Sequence, residues 1–234
     1  MMNGFMGWPH GGRSSTFEDP AHLTTGDPTV TYALQYEFDD PADLTAATVV
    51  VPSGTSSEAI GNGVLSTISD DQSSVNLCAA LWSHSLAVGD CVETAFSYWM
   101  IPSNYPMAGV VIANGDTASA DIQAAGLYNN GADPRTYIIG GTLNSTSEYS
   151  GSTNSSDNLF VLNMKRPIRV RITRVDSDTW KAEYSDCGAL WTQFGRDMEW
   201  DDTMTPTHVG VYWSTFTGNF PTQFSFDYIR VYTP

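Results

Sequence analysis

Apolar and polar residues alternate over short stretches from about residue 30 to the end of the chain. The segments TVTYALQYEF, CVETAFSYWMI and RPIRVRITRV have this period of two, which is typical of β-strands with one buried face. Turn signals separate such stretches, for example Gly-Asn-Gly at 61–63 and Asn-Gly-Asp at 114–116. No segment of useful length has the helical period, so the pattern predicts about ten to twelve strands.

Strands at this even spacing predict an all-β fold, an antiparallel two-sheet jelly-roll sandwich over residues 29–234. In IRVRITRV, the alternation predicts that Ile168, Val170 and Ile172 point inward. HSLAVGD, between two apolar stretches, is predicted to connect a hairpin, and residues 142–158 are predicted to form a polar loop. Four tryptophans in alternating stretches are predicted to lie in the core: Trp82, Trp180, Trp191 and Trp213.

Residues 1–28 differ from the rest, because Gly, Pro, Ser and Thr recur at short intervals and the apolar residues show neither a strand nor a helix period. A free tail is normally poor in large apolar residues, yet this segment contains several. We therefore predict an extended N-terminal arm that docks either on its own domain or on a neighbouring subunit. Its predicted assembly anchors are Phe5, Met6, Trp8 and Phe17.

The composition is strongly acidic, with a formal net charge of −16. Such a surface repels phosphate backbones, so we expect no nucleic-acid partner. No apolar run approaches the roughly 20 residues of a membrane span, so we expect no membrane insertion. The first twenty residues contain neither a basic nor an apolar signal-peptide region, so we expect no export by that route. Four of the eight arginines lie within residues 166–174, where they are predicted to pair with local carboxylates or to meet an anionic partner.

The three cysteines, Cys78, Cys91 and Cys187, do not have the spacing of a metal site. A disulfide between Cys78 and Cys91 and buried free thiols are both open interpretations. The odd count and the expected lack of secretion favour free thiols.

The order of several segments resembles the concanavalin A-like lectin/glucanase superfamily: NGVLSTIS, VETAFSYWM, AGVVIANGD, TWKAEYSDCGALWTQF, HVGVYWST and FSFDYIRVY. The resemblance covers about residues 30–234. It implies a jelly roll in which the first and last strands lie side by side, which hides an edge that would otherwise recruit another chain.

The terminal segment FDYIRVY is similar to that of laminarinase-like proteins, where a matching Asp helps to hold a structural calcium ion. This resemblance implies Asp227 as a ligand, with Glu37 or Asp39 near the first strand as a second group. The alternative is that Asp227 accepts backbone N–H groups or pairs with an arginine. No other cofactor is expected.

The resemblance also implies where catalytic residues would lie, but this chain departs from the pattern. The glucanase branch carries Glu-x-Asp-x-(x)-Glu on a strand that follows the segment resembling VETAFSYWMIPSNYPMAGVVIA, and retaining glycosidases need two such carboxylates. No glutamate occurs here between Glu93 and Glu148, and DMEWDD at 197–202 lies in the wrong hairpin. We therefore expect no catalytic residues and no enzymatic activity; a divergent glycoside hydrolase is the last alternative.

Lectin-like relatives bind sugars in a groove, where aromatic rings stack on pyranose faces and amides bind hydroxyls. The candidate glycan-binding residues lie in and around the middle strands: Trp99, Tyr105, Tyr128, Asn129 and Tyr137. For each of these residues, packing in the core or at a sheet edge is the alternative interpretation.

Two functional classes follow from these expectations. The first is a non-catalytic structural or adhesion protein of a larger assembly, a capsid decoration or tail appendage on a virion surface, joined to other subunits by its arm. The second is a free or cell-surface carbohydrate-binding module outside the cell.

Overall fold

The computed structural model describes residues 29–52, 56–69, 77–98, 105–129, 136–143, 153–159, 167–185, 190–193, 199–216 and 222–234. This part of the chain forms sixteen β-strands and one four-residue helix, so the prediction of an all-β fold is confirmed. The elements are β1 (Tyr32–Tyr36), α1 (Ala42–Thr45), β2 (Ala47–Val50), β3 (Ser56–Gly61), β4 (Val64–Ser69), β5 (Cys78–Ser83), β6 (Cys91–Tyr98), β7 (Tyr105–Ala113), β8 (Ile122–Asn129), β9 (Thr136–Leu143), β10 (Thr153–Leu159), β11 (Ile168–Arg174), β12 (Thr179–Ser185), β13 (Thr192–Gln193), β14 (Glu199–Asp201), β15 (His208–Phe216) and β16 (Thr222–Tyr232). None of the described helices is long and apolar enough to cross a membrane.

The strands form two antiparallel sheets that pack as a sandwich. Sheet A has the order β13-β12-β11-β6-β16-β4-β3, with β1 also paired to β16 and β14 also paired to β12. Sheet B has the order β10-β9-β8-β7-β15-β5-β2. The predicted antiparallel two-sheet architecture is therefore confirmed.

The last strand, β16, lies in the middle of sheet A. On one side it pairs with β6, and on the other it pairs with β4 over Thr222–Phe226 and then with β1 over Ile229–Tyr232. The predicted contact between the first and last strands is therefore confirmed, and both edges of β16 are hydrogen-bonded within the sheet.

A β-bulge interrupts β16 at Asp227. Phe226 pairs with Phe96 and Tyr228 with the next residue of β6, Ala95, so Asp227 is the extra residue. Before the bulge Phe226 points into the core, and after it the inward positions are Ile229 and Val231. The bulge thus places Tyr228 and the polar residues that follow on the outer face of sheet A.

One apolar core fills the space between the two sheets. Ile168, Val170 and Ile172 point into it, as the alternation predicts. Trp82, Trp180 and Trp213 also lie in this core and are almost fully buried.

The prediction of a core position for Trp191 is wrong. Trp191 is half-buried, and its ring lies under the guanidinium of Arg171, 4.2 Å from the ring centroid. Because Arg171 alternates with inward-pointing Val170 and Ile172, this stacked pair belongs to the outer face of sheet A.

The prediction of a hairpin at HSLAVGD is also wrong, because β5 belongs to sheet B and β6 to sheet A. The connection crosses between the sheets, with Leu86 buried and its carbonyl oxygen accepting a hydrogen bond from Arg174 Nη1. Cys78 and Cys91 consequently lie in different sheets, and both are buried free thiols. Cys187 lies outside the described residues.

Part of the predicted polar loop at 142–158 is a strand. Thr153–Leu159 forms β10, which pairs with β9 at the end of sheet B. An edge strand is held by backbone hydrogen bonds and needs no apolar alternation. The polar sequence of β10 therefore gave no strand signal. Part of DMEWDD is likewise a strand, since Glu199–Asp201 forms β14 beside β12.

Sheet B is apolar on both faces, unlike sheet A. Its second face carries a separate cluster that includes Leu81, Met107, Val111, Ile122 and Tyr212, each at most 1% exposed. Strands buried on both faces have nearly continuous apolar sequences, as in CAALW and GVVIA. We call this second face the outer face of sheet B.

Candidate functional site

Four of the five predicted glycan-binding residues come together at one end of sheet B. Tyr105 begins β7, Tyr128 and Asn129 end β8, and Tyr137 lies near the beginning of β9. Tyr128 and Tyr137 are direct register partners, and Asn129 pairs with Thr136. We call this place the tyrosine end of sheet B. The fifth residue, Trp99, lies outside the described residues.

The tyrosine end continues along the register into the outer face of sheet B. Tyr128 pairs with Met107, which belongs to the apolar cluster of that face. Further along, Gly109 and Gly126 are opposed, and a Cβ at Gly126 would overlap the carbonyl oxygen of Ala108 and touch the Tyr212 hydroxyl. Glycine is therefore required at position 126 for the close approach of the Tyr212 hydroxyl and of the neighbouring strand.

The strand on which the resemblance places the catalytic carboxylates is β8, and it contains no Asp or Glu. Its outer-face positions are occupied by Ile122, Ala124 and Gly126. The inward-pointing Gln123 is buried and donates a hydrogen bond to Asp202 Oδ2. The nearest carboxylate along the sequence, Asp121, precedes the strand and binds the Asn114 amide in the β7–β8 turn.

A polar network covers the outer face of sheet A, and Glu93 lies at its centre with 4% of its surface exposed. The hydroxyls of Tyr228 and Tyr232 donate to its two carboxylate oxygens at 2.5 and 2.6 Å. Burial, followed by the negative charge of Glu93, raises the pKa of both tyrosines well above the usual range. Arg169 lies 3.9 Å from the same carboxylate.

The predicted pairing of the 166–174 arginines with local carboxylates is confirmed for Arg169 and Arg171, whereas Arg174 donates to the carbonyl oxygens of Leu86 and Ser177. Arg171 binds Glu183 through Nε and Nη2, both at 2.8 Å, and Lys181 lies 3.0 Å from the same carboxylate. These groups are close to balanced in charge, which fits a structural network on an acidic protein.

The three residues that the resemblance implies as calcium ligands differ from one another in their surroundings. Both oxygens of Glu37 accept hydrogen bonds from Arg230, at 2.7 and 2.6 Å, so Glu37 acts as a counter-ion. Asp39 is exposed, and Asp227 is the bulge residue of β16. Within the described ranges, no three or more His, Cys, Asp or Glu side chains form a group that could hold a metal. Calcium binding by Asp227 and Asp39 stays a prediction.

The Glu93 network was not predicted from the sequence, although a signal for it was present. In YIRVY the polar residues Arg230 and Tyr232 alternate with inward Ile229 and Val231, as Arg169 and Arg171 alternate with their apolar neighbours. Two such strands on either side of β6 bring these side chains onto one face. The predicted assembly anchors Phe5, Met6, Trp8 and Phe17 lie outside the described residues.

No family model matches the chain, and no curated protein matches it either. Solved structures do match. The catalytic domain of an endo-1,3-β-glucanase (laminarinase) from Thermotoga petrophila RKU-1 is 13% identical with a TM-score of 0.51, over 87% of this chain and 97% of that one. The protein has the concanavalin A-like jelly-roll fold.

Two further matches with this jelly-roll fold are not described as active hydrolases. A pseudo β-1,3-glucanase and immunostimulatory antigen of Mycobacterium tuberculosis is 13% identical with a TM-score of 0.52, over 87% of this chain and 99% of that one. The CBM2 module of an evolved Dit protein of Lactobacillus casei BL23 phage J-1 is 9% identical with a TM-score of 0.56, over 86% of this chain and 95% of that one. At these identities the likeness concerns the fold.

Proposed function

We propose that this protein is a non-catalytic carbohydrate-binding jelly roll whose glycan platform is the tyrosine end of sheet B. The observation that carries the proposal is the convergence of Tyr105, Tyr128 and Tyr137 on three adjacent strands, with Tyr128 and Tyr137 directly opposed. Residues that are direct partners in an antiparallel pair are close enough to form one surface.

The chemistry of these residue types suits a sugar. Tyrosine rings stack on the apolar faces of pyranoses and their hydroxyls bind sugar hydroxyls. Asn129 directly follows Tyr128 in β8, so the strand alternation assigns it to the opposite face, and the platform is proposed for the tyrosines alone. Binding to rigid strands rather than to loops reduces the ordering cost of association. The proposed ligand is therefore a surface glycan held by stacking and neutral hydrogen bonds, which agrees with a protein of net charge −16 that repels anions.

The absence of hydrolase activity is part of the same proposal. The strand β8 carries Ile122, Ala124 and Gly126 on its outer face, and none of these can act as an acid or a nucleophile. The matched M. tuberculosis protein, described as a pseudo β-1,3-glucanase, supports the idea that this fold occurs without that chemistry.

We further propose that the protein is part of a virion and displays its platform on the virion surface. The likeness to a carbohydrate-binding module of a phage Dit protein supports this setting. In this proposal the arm at residues 1–28 joins the domain to other subunits of the particle. A free or cell-surface carbohydrate-binding module is the alternative.

A glycan array tests the binding proposal with the full chain, Tyr128→Ala, Tyr137→Ala and the double variant. Truncating one stacking aromatic residue at the centre of an interface costs about 1–3 kcal/mol, so each single variant should bind about tenfold more weakly or worse. Trp191→Ala is the matched control, because Trp191 is a half-buried aromatic residue on the other sheet. Equal binding by all variants, or no binding by the full chain to neutral and acidic glycans, would reject the proposed platform.

A further inference from the structure

A row of hydroxyl groups lines the inside of the sandwich at the edge of sheet A. Ser56 of β3 pairs with Ser69 of β4, which in turn pairs with Thr222 of β16. In the next row, Glu58 pairs with Thr67. Thr67 and Ser69 alternate with the exposed Ile68 and are themselves 0% exposed, so their side chains point inward.

Sheet B closes this corner from the opposite side. The Trp213 indole N–H donates to Ser56 Oγ at 2.9 Å, and Ser56 Oγ donates to the carbonyl oxygen of Ile68. Burial raises the pKa of the Cys78 thiol to about 12, and the negative charge of Glu58 adds to this shift. Trp213 and Cys78 are register partners on β15 and β5, so Ser56 and Glu58 lie close to this part of sheet B.

Three oxygen atoms in this corner have no hydrogen-bond partner among the residues that the structure describes. They are Glu58 Oε1, Thr67 Oγ1 and Ser69 Oγ, and each is buried. Buried polar atoms are normally paired, and a buried carboxylate oxygen normally has a cation or a donor beside it. Within the described part of the chain, no Lys, Arg or His forms an ion pair with Glu58.

We propose that Glu58 Oε1, Thr67 Oγ1 and Ser69 Oγ bind a hard metal cation, with Ca²⁺ as the best fit. All three atoms are oxygens, which hard cations prefer, and one of them carries the negative charge that the cation neutralises. Calcium accepts irregular sets of oxygen ligands and completes its shell with water, whereas magnesium requires near-ideal octahedral geometry. The site is distinct from the one implied at Asp227, Glu37 and Asp39.

The expected affinity is weak, because only one ligand is charged. Sites of low charge count bind Ca²⁺ with dissociation constants of about 10⁻⁴ to 10⁻³ M. Such a cation would tie β3 and β4 to the interior of the sandwich. The inference does not depend on glycan binding, and a calcium effect on stability can be measured without any glycan.

The test is the melting temperature of the full chain after EDTA treatment, with and without 10 mM CaCl₂, where Tm should rise by about 4 °C. MgCl₂ at the same concentration controls for screening of the net charge of −16. Glu58→Gln keeps the shape but removes the charge, so we expect its Tm in EDTA to equal or exceed that of the natural chain, with no calcium-specific increase. Thr67→Val and Ser69→Ala should each reduce the increase.

Asp227→Asn is the matched control, because it removes a carboxylate from the other implied site and should keep the calcium-specific increase. The proposal is overturned if CaCl₂ and MgCl₂ act equally on the natural chain, which would mean that screening of the net charge explains the increase. It is also overturned if Asp227→Asn loses the calcium response while Glu58→Gln keeps it. If Glu58→Gln does not fold, Ser69→Ala decides between these outcomes in the same way.

Discussion

Glu93 has an environment that is unusual for its residue type. Its carboxylate is nearly buried on the outer face of sheet A and accepts hydrogen bonds from Tyr228 and Tyr232. Glu93→Ala should lower the free energy of unfolding by about 3 kcal/mol, because it leaves two buried hydroxyls and the nearby Arg169 guanidinium without this acceptor. Urea denaturation measures the loss. Glu93→Gln should lower the free energy of unfolding less than Glu93→Ala does. Asp116→Ala, at an exposed residue, should change it by no more than about 0.5 kcal/mol. Equal losses for Glu93→Ala and Asp116→Ala would contradict this account.

The two buried thiols predict how stability depends on alkaline pH. Burial raises the pKa of Cys78 and of Cys91 to about 12, so the folded protein keeps protons that the unfolded chain loses near pH 9. The stabilising contribution is complete below pH 9 and is lost as pH rises toward 12. The free energy of unfolding should therefore fall by about 2–3 kcal/mol between pH 8 and 10, measured by urea denaturation. The double variant Cys78→Ala with Cys91→Ala should lose most of this pH dependence. If the urea midpoint of the natural chain is the same at pH 8 and pH 10, the prediction is refuted.

At the scale of single elements, the bulge in β16 sets which side chains meet. Deleting Asp227 would restore a regular alternation and keep Ile229 and Val231 inward and Tyr228 and Arg230 outward, because only the extra residue is removed. We therefore expect the deletion variant to fold, as judged by circular dichroism, and to lose about 0.5–3 kcal/mol of the free energy of unfolding with the local bend, as measured by urea denaturation. Asp227→Asn keeps the extra residue and should lose no more than about 1 kcal/mol. An unfolded deletion variant would show that β16 cannot pair with its neighbours without the bulge.

The elements that the sequence predicted are those with an alternating pattern, such as β11, in which Ile168, Val170 and Ile172 occupy every second position. Polar β10 lacked that signal, because an edge strand is held by its backbone. The assignment of β5 and β6 to different sheets was also hidden, since a connection between sheets and a hairpin turn use similar residues. Single-sequence patterns identify strands, but they do not identify which sheet a strand joins.

The candidate site was predictable in composition but not in arrangement. The sequence indicated aromatic residues in the middle strands, and the register then placed Tyr128 opposite Tyr137. Glu58, Thr67 and Ser69 carried no visible signal, because isolated polar residues at strand positions usually face solvent. The inward orientation of Thr67 and Ser69 depends on β4 packing over sheet B, which is a property of the assembled fold.

At the scale of the whole molecule, sheets A and B have different outer faces. Sheet A carries a polar network of paired charges, whereas the outer face of sheet B is apolar and has residues such as Leu81 and Met107 that are about 1% exposed. A net charge of −16 makes copies of the chain repel one another. Assembly into a particle therefore needs a contact that overcomes this repulsion, and the proposal assigns that contact to the apolar residues of the arm.

Replacing the four arm anchors in the full chain tests this assignment. Phe5, Met6, Trp8 and Phe17 changed together to serine should leave the sandwich intact, because every described strand begins after residue 31. Light scattering and sizing chromatography at rising concentration and 0.5 M NaCl, which screens the net charge, should then show self-association of the natural chain and a monomer for the variant. Equal circular dichroism spectra would establish that both are folded. If the arm instead docks on its own domain, both proteins will stay monomeric and the variant will unfold at lower urea concentration, since the anchors would then stabilise the monomer rather than a contact between copies.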